Sequence, residues 1–291
     1  MSEKRYRGVA ALCVAIALVA GVAAATGIFG RGSGETASAV SIRGEAFEYV
    51  TDGVYAYNAE RIVAEGVGWD IVTLFLAVPA LLLSVRGVYL GRLRGRLLAL
   101  GLLGYVFYQY FMYAMFWALG PLFPVFIVLF VAAAVAIVWL VDLIDVPTLP
   151  ERFSDRFPRK GMAVLSIAVA LLLVGMWTKL IAAALSGNID GVLYGGTTLS
   201  VQALDLGIVV PIAVTTAVLL WRNRPWGYAL AAGLAVKGVT MAGAICAMLV
   251  VAALVEGSLD VAGFTVFAVI ALVCGGLGWR ILSSVKPLPA T

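Results

Sequence analysis

Eight long apolar runs constrain this chain more than any other feature of its sequence. A helix needs about 20 apolar residues to cross a hydrocarbon core of about 30 Å, and it satisfies its own backbone hydrogen bonds there. The runs are too continuous for the strands of a β-barrel, which are short and alternate in polarity. The sequence therefore predicts an all-α membrane protein with eight transmembrane helices, near residues 8–29, 68–85, 97–118, 122–141, 161–185, 201–221, 226–252 and 261–282.

Composition and charge agree with this class. Hydrophobic residues make up 63% of the chain and charged residues only 12%, far from the balance of soluble domains. With the N-terminus inside, fifteen of the 20 lysines and arginines are cytoplasmic, as positive loops are expected to be. Both termini are then cytoplasmic, and the net charge of +4 indicates topology rather than a nucleic-acid surface.

The first apolar run has a basic start and could be a signal peptide. Its apolar stretch of about 20 residues exceeds the 7 to 15 that are usual there. We therefore expect a retained helix.

The only sizeable polar segment, residues 30–67, falls outside, between the first two spans. "AFEYVTDGVYAYN", residues 46–58, predicts a small β-hairpin that turns at Asp52-Gly53, since Asp-Gly favours a tight turn. Asn58 is predicted to cap a short helix, and residues 30–38 to be a flexible linker. The hairpin is interpreted as a cap on the helix ends, with a ligand-binding or partner-binding module as the alternative.

The order of polar residues predicts an internal repeat. The first repeat comprises residues 1–145, a cytoplasmic connector residues 146–160, and the second repeat residues 161–291. Four helices in each repeat imply a parallel 4+4 arrangement about an axis along the membrane normal. The matched positions are Arg7 with Lys160, Asp52-Gly53-Val54 with Asp190-Gly191-Val192, Asp70 with Asp205, Pro79 with Pro211, Arg86 with Arg222, and Gly95 with Gly227.

Lys237 is the strongest candidate for a functional residue. It lies midway along the seventh span, where an ionisable group costs about 2.5–3.5 kcal/mol or more and calls for a partner. It is either the counter-charge of a solute or ion, or one member of a structural ion pair.

Other polar residues of the spans are weaker candidates. Asp70 and Asp205 each lie near the outer start of a span, and Lys179 lies at a similar depth. The two aspartates are interpreted as structural, favoured by the helix dipole or paired with Lys179, with an external solute vestibule as the alternative.

The third span carries a polar aromatic face. Tyr105, Tyr108, Gln109, Met112 and Tyr113 share helical spacing, and Tyr105 takes the place of Lys237 in the repeat. This face, Lys237 and Thr240 could form one pocket. The preferred interpretation is interhelical packing by the tyrosines, and the pocket is the alternative.

Several chemistries are excluded by what the sequence lacks. There is no histidine, and Cys13, Cys246 and Cys274 stand alone in apolar spans, so no metal or redox spacing is present. Neither a phosphate-binding loop nor a dinucleotide fingerprint occurs. We expect no cofactor and no enzyme activity.

"GWDIVTLFLAVP", "GYVFYQYFMYAMFWALGPLFPVFIVLF" and "ALDLGIVVP" followed by "RNRPWGYALAAGLAVKG" resemble a group of uncharacterised prokaryotic multi-pass membrane proteins. The resemblance covers most of the chain from about residue 40. It implies a prokaryotic plasma membrane and assigns no functional residue.

The sequence thus leads to one expectation and one alternative. The expected function is to bind or transport a small solute or ion at the seam between the halves. The alternative is a membrane sensor, scaffold or partner-binding protein that uses its external hairpin. Besides the bilayer and the solute, the sequence indicates no partner, and it leaves the oligomeric state open.

Overall fold

Long helices account for most of the chain in the computed structural model, which describes residues 2–189 and 191–286. Eight helices in this part of the chain are long and apolar enough to cross a membrane, which confirms the predicted multi-pass architecture. They are α1 (Ser2–Phe29), α2 (Glu60–Tyr89), α3 (Leu93–Phe116), α4 (Phe123–Asp142), α5 (Arg159–Leu185), α6 (Ser200–Trp221), α7 (Pro225–Glu256) and α8 (Val261–Ser284).

The helices differ in how much protein surrounds them. In α3, 67% of the most apolar 18-residue window is buried inside the protein, against 17% in α5 and 11% in α8. α3 is also the least apolar of these eight helices, so both burial and polarity distinguish the central helix from the two peripheral ones. α3 is therefore the centre of the bundle, and α5 and α8 present most of their surface to the bilayer.

The helices α1–α4 are called the first half of the bundle and α5–α8 the second half. α7 joins the two halves, because it packs against α2 and α3 as well as against α6 and α8. Two glycines make the close approach possible. A side chain at Gly68 of α2 would collide with the backbone of Ala247 and Met248, and one at Gly101 of α3 would collide with Gly233 and Val236. Small residues at such crossings let helix backbones approach in a membrane.

Two helices share an uncommon local form. Residues Thr73–Ala77 of α2 and Asp205–Val209 of α6 are π-helical turns, and each is followed by Val-Pro. The π turns lie 132 residues apart, and so do the starts of α3 and α7. On this spacing the counterpart of Asp205 is Thr73, three residues beyond the Asp70 that the sequence comparison selected. The internal repeat itself stays a prediction.

A two-stranded antiparallel sheet follows α1, with strands β1 (Thr36–Val40) and β2 (Ala46–Val50). The small hairpin predicted between the first two helices is therefore present, but its strands differ from the prediction: the predicted first strand is β2, and its partner β1 begins in the segment predicted to be a linker. The chain reverses at residues 41–45, where Ser41 N donates to Glu45 O at 2.8 Å and Gly44 has a φ of 86°. β1 consists of small residues (Thr-Ala-Ser-Ala-Val). Their sequence predicts a strand only weakly, but they still pair with β2.

Asp52-Gly53 forms a turn after β2 instead of inside the hairpin. The Asp52 carboxylate accepts a hydrogen bond from the Ser33 backbone N–H at 2.7 Å, and this bond lowers the pKa of Asp52. Asn58 does not cap α2. Its amide donates to Tyr55 O at 3.0 Å and its Oδ1 accepts from Ala118 N at 2.8 Å. Its side chain thus joins the external segment to the end of α3.

The two ends of the bundle are distinct. At one end, called the connector end, Arg96 donates hydrogen bonds to Tyr6 Oη and Leu143 O. Arg94 donates to Val285 O at the same end. The opposite end, called the hairpin end, carries β1, β2 and the loop at residues 191–199. Asp190, which the repeat prediction paired with Asp52, lies outside the described residues.

Candidate functional site

A cavity of about 870 Å³ lies in the second half of the bundle. Its walls come mainly from α5, α6 and α7, with a smaller part from α8, and Trp69 of α2 and Tyr108 of α3 form part of one side. The loop at residues 191–199 lines the hairpin end. Most side chains on the walls are apolar, and the volume falls within the 300–1,000 Å³ typical of ligand sites.

The cavity exists because the second half is less tightly closed than the first. In the first half α1 packs along both α2 and α4. In the second half α5 packs along α6, and within the described residues α5 has no comparable packing with α8. Gly161 of α5 lies against Leu277 of α8 near the connector end. The space between the two helices is left for the cavity.

Lys237 of α7 faces this cavity. Its Nζ lies 4.4 Å from the centroid of the Tyr108 ring, a cation–π geometry. Among the described residues, no carboxylate oxygen lies within 4.0 Å of Nζ. The choice between a counter-charge for a solute and a structural role for Lys237 stays a prediction.

Asp205 lies in the π turn of α6 and lines the same cavity. Its carboxylate accepts hydrogen bonds from Tyr108 Oη at 2.7 Å and from Trp177 Nε1 at 2.9 Å. Tyr108 therefore contacts both charged groups, the carboxylate through its hydroxyl and the ammonium through its ring. We call Lys237, Asp205, Tyr108 and Trp177 the Lys237 site.

Two further polar atoms on the cavity wall have no hydrogen-bond partner among the described residues. Trp69 Nε1 and Ser166 Oγ are buried and unpaired, and both residues line the cavity. Trp69 is 6% exposed and Ser166 4%. Because more than 90% of buried polar groups are normally paired, two such atoms in residues that line one cavity are exceptional.

Asp70 occupies a different environment. It is completely buried, and its carboxylate accepts from Tyr55 Oη at 2.5 Å, Gln109 Nε2 at 3.1 Å and Tyr113 Oη at 3.4 Å. Gly27 of α1 lies directly over it, since a Cβ there would collide with Asp70 and Tyr55. We call Asp70, Tyr55, Gln109 and Tyr113 the Asp70 cluster; Asp70 does not line the cavity.

The polar face predicted on α3 divides between these two places. Tyr108 and Met112 line the cavity, whereas Gln109 and Tyr113 bond to Asp70. Tyr105 is also directed toward α2, where its hydroxyl lies 2.9 Å from Thr73 Oγ1. The five residues therefore do not form one pocket wall, because Tyr108 and Met112 face the cavity whereas Tyr105, Gln109 and Tyr113 contact α2.

Two other candidates lie apart from the cavity. Thr240 is buried, and its hydroxyl donates to backbone oxygens of its own helix, to Lys237 O at 3.0 Å and Val236 O at 3.3 Å. Lys179 is exposed and forms no ion pair with either aspartate in the described part of the chain. Trp177, two residues earlier, takes the place expected for Lys179 beside Asp205.

Sequence reasoning missed Trp69, Trp177 and Ser166. A tryptophan near the end of a span, as Trp177 is, usually belongs to the interfacial aromatic belt. Its position two residues before Lys179 says nothing about Asp205, which lies on another helix. These residues could be recognised as part of the site only after the neighbouring helices were known.

The hairpin reaches the cavity through the loop at residues 191–199. The Glu45 side chain is 2% exposed and accepts hydrogen bonds from the backbone N–H groups of Tyr194 at 3.1 Å and Gly195 at 3.0 Å. Phe47 packs against Gly195. Burial in this contact raises the pKa of Tyr194. The hairpin of β1 and β2 thus holds the loop at residues 191–199 at the mouth of the cavity.

Metal binding has no support in the described residues, which contain no group of three or more His, Cys, Asp and Glu side chains that could hold an ion. Comparison with protein-family models, with curated proteins and with solved structures found no match for this chain.

Proposed function

We propose that this protein binds a small solute carrying an anionic group in the second-half cavity and carries it across the membrane. The observation that supports this most is the ammonium of Lys237, which faces the cavity with no carboxylate within 4.0 Å among the described residues. A charge within a membrane-spanning helix is costly, and a ligand that offsets its charge accounts for its position.

The surroundings of Lys237 favour binding over a purely structural role. Asp205 already receives two hydrogen bonds, from Tyr108 and Trp177, and none from Lys237. The lysine keeps its own three donors available. A solute with acceptor oxygens would complete the site.

The transport part of the proposal is supported by the helices that carry the site. π turns within helices occur often at functional sites, and Asp205 lies in one of them. Two halves arranged as a parallel repeat in a prokaryotic plasma membrane, with both termini cytoplasmic, are part of the same proposal. Motion of α5 and α6 relative to α7 would then expose the site to either side.

The external hairpin fits this proposal better than an independent role in sensing or partner binding. Its buried Glu45 holds the loop that lines the cavity mouth. A module devoted to another protein gains nothing from that contact.

The test is uptake of organic anions into proteoliposomes that contain the full chain, across a panel of carboxylates, phosphates and amino acids. We expect Lys237→Met to abolish uptake of the transported anion and Lys179→Met, which removes an exposed lysine, to leave it unchanged. Both variants should elute as the folded wild-type protein. Uptake by Lys237→Met at the wild-type rate for every anion of the panel would refute the proposal.

A further inference from the structure

The shape and polarity of the cavity indicate what kind of solute the Lys237 site accepts. We infer that the ligand is an amphiphile, with one anionic headgroup, a carboxylate or a phosphate, at Lys237 and Trp69 and a hydrocarbon chain between α5 and α8. This inference rests on the proposed function and specifies its ligand.

The headgroup is assigned from the unpaired donors. Lys237 and Trp69 both neighbour Tyr108, since Lys237 Nζ is 4.4 Å from the Tyr108 ring centroid and the Trp69 ring centroid is 6.0 Å from it. Neither Lys237 Nζ nor Trp69 Nε1 has an acceptor among the described residues. Both are donors only, so the missing partner is an acceptor, and the positive charge of Lys237 favours an anionic one.

Asp205 does not oppose this assignment. Its carboxylate accepts hydrogen bonds from two neutral donors, Tyr108 Oη and Trp177 Nε1, and none from Lys237. Lys237 is the charged group of the site whose hydrogen-bonding positions remain free. An anion at Lys237 therefore completes the cationic side of the site.

The hydrocarbon chain is assigned from the rest of the cavity. Its apolar walls include Leu165, Val169 and Leu173 of α5, with Phe267 and Ile270 of α8. Against these side chains a small hydrated ion gains nothing, whereas each buried CH₂ contributes about 0.8 kcal/mol. A volume of about 870 Å³ also exceeds what a single small anion fills.

Access from the bilayer is consistent with a lipid-like ligand. α5 and α8 are the helices with the least burial inside the protein, and they lack extensive packing with each other in the described residues. The apolar part of the cavity therefore lies behind the two helices that face lipid. Ser166, with its unpaired hydroxyl, lies on the α5 wall and gives the chain region a single polar contact.

Binding can be measured with the full chain in nanodiscs, using a doxyl-labelled stearate that quenches the tryptophans of the cavity. We expect palmitate and hexadecyl phosphate to compete with the label, and butyrate and hexadecanol to compete at least about 100-fold more weakly, because each lacks one half of the interaction. The ratio of palmitate to hexadecyl phosphate affinity identifies the headgroup, and either preference supports the inference.

Three variants locate the ligand. Lys237→Met should weaken palmitate binding about 10- to 100-fold, the loss of a charged hydrogen bond. Trp69→Phe, which keeps the ring and removes Nε1–H, should weaken it about 3- to 10-fold. Ile270→Trp, which fills the chain region, should weaken palmitate binding more than octanoate binding. Lys179→Met is the matched control and should bind like the wild type.

The outcomes separate this inference from the proposed function. If butyrate binds as tightly as palmitate and both require Lys237, the ligand is a small anion, so the inference is overturned and the proposed function stands. If palmitate binds equally to the wild type and to Lys237→Met, the headgroup assignment is overturned. If no anion of any length requires Lys237, both proposals fail.

Discussion

The two intramembrane aspartates show how the same residue acquires different surroundings in the two halves of this bundle. Asp70 is completely buried and receives three hydrogen bonds, whereas Asp205 borders a cavity and receives two. The difference arises from the neighbouring helix. α1 lies over Asp70 through Gly27, while α5 contacts Asp205 only with Trp177 and leaves space beside it.

The spacing of the π turns sharpens this comparison. At a separation of 132 residues, Thr73 corresponds to Asp205 and Tyr105 to Lys237. Thr73 and Tyr105 form a neutral, fully buried pair with their hydroxyl oxygens 2.9 Å apart. The corresponding pair in the second half is charged and lies at the cavity. If the halves are copies, a closed hydroxyl pair and an open charged pair occupy equivalent places.

The largest effect is expected from Asp70→Ala. It would leave the Tyr55 hydroxyl and the Gln109 amide without their acceptor in a closed core, which should lower the free energy of unfolding by about 3 kcal/mol or more. Asp205→Ala should lower it by only about 1 kcal/mol, because groups at a cavity can find other partners. Reversible unfolding in mixed micelles measures both.

Asp70→Asn is the matched control, since its amide oxygen still accepts and it should lose less than Asp70→Ala. Equal losses for Asp70→Ala and Asp205→Ala would contradict the distinction between a structural and a ligand-facing aspartate.

The second prediction concerns the helix that closes the first half. Gly27→Ala places a methyl group against Asp70 and Tyr55 and should lower the free energy of unfolding by about 1–3 kcal/mol through overpacking. Gly175→Ala in α5 is the control, because nothing lies within 4 Å of the added Cβ. It should be neutral or slightly stabilising. A neutral Gly27→Ala, read by the same unfolding assay, would mean that α1 does not close over Asp70.

Much of the fold follows from the sequence, and the site follows only in part. The eight spans were predictable because crossing a bilayer imposes length and polarity on each segment independently. Lys237 was recognisable for the same reason, since its cost depends on its own position in a span. The strands of the hairpin were misassigned because Asp-Gly forms turns in several contexts. The sequence also does not show which neighbouring segment pairs with β2.

The partners of Lys237 and Asp205 were beyond sequence reasoning for a related reason. Trp177 and Tyr108 approach Asp205 from two different helices, and helix rotation about its axis decides which side chains meet. Eight apolar helices with little amphipathic character give no indication of that rotation. The π turns, whose spacing matches Thr73 rather than Asp70 with Asp205, have no signal in the sequence.

The third prediction tests the donor that holds Asp205. Trp177→Phe keeps the ring and removes the Nε1–H bond of 2.9 Å, so it should lower the free energy of unfolding by about 1 kcal/mol. With one donor fewer, Asp205 should attract Lys237 more strongly, and affinity for an anion should fall. Trp221→Phe, at an exposed position of α6, is the control in unfolding and doxyl-stearate binding. Unchanged anion affinity in Trp177→Phe would separate Asp205 from the Lys237 site.

The smallest effect on stability is expected at the contact where the first half reaches over the second. Glu45→Gln keeps the size of the side chain but removes the charge that two backbone N–H groups, of Tyr194 and Gly195, bind. The free energy of global unfolding should change by less than about 1 kcal/mol, because the contact lies outside the bundle. Amides of the loop at residues 191–199 should nevertheless exchange faster with solvent.

Glu48→Gln is the control. The exposed Glu48 carboxylate accepts from Ser38 Oγ at 2.5 Å, so the variant removes an equal charge from the same hairpin and should leave loop exchange unchanged. If the two variants behave alike, the hairpin does not hold the mouth of the cavity, and the closed first half and the open second half are then joined only through α7.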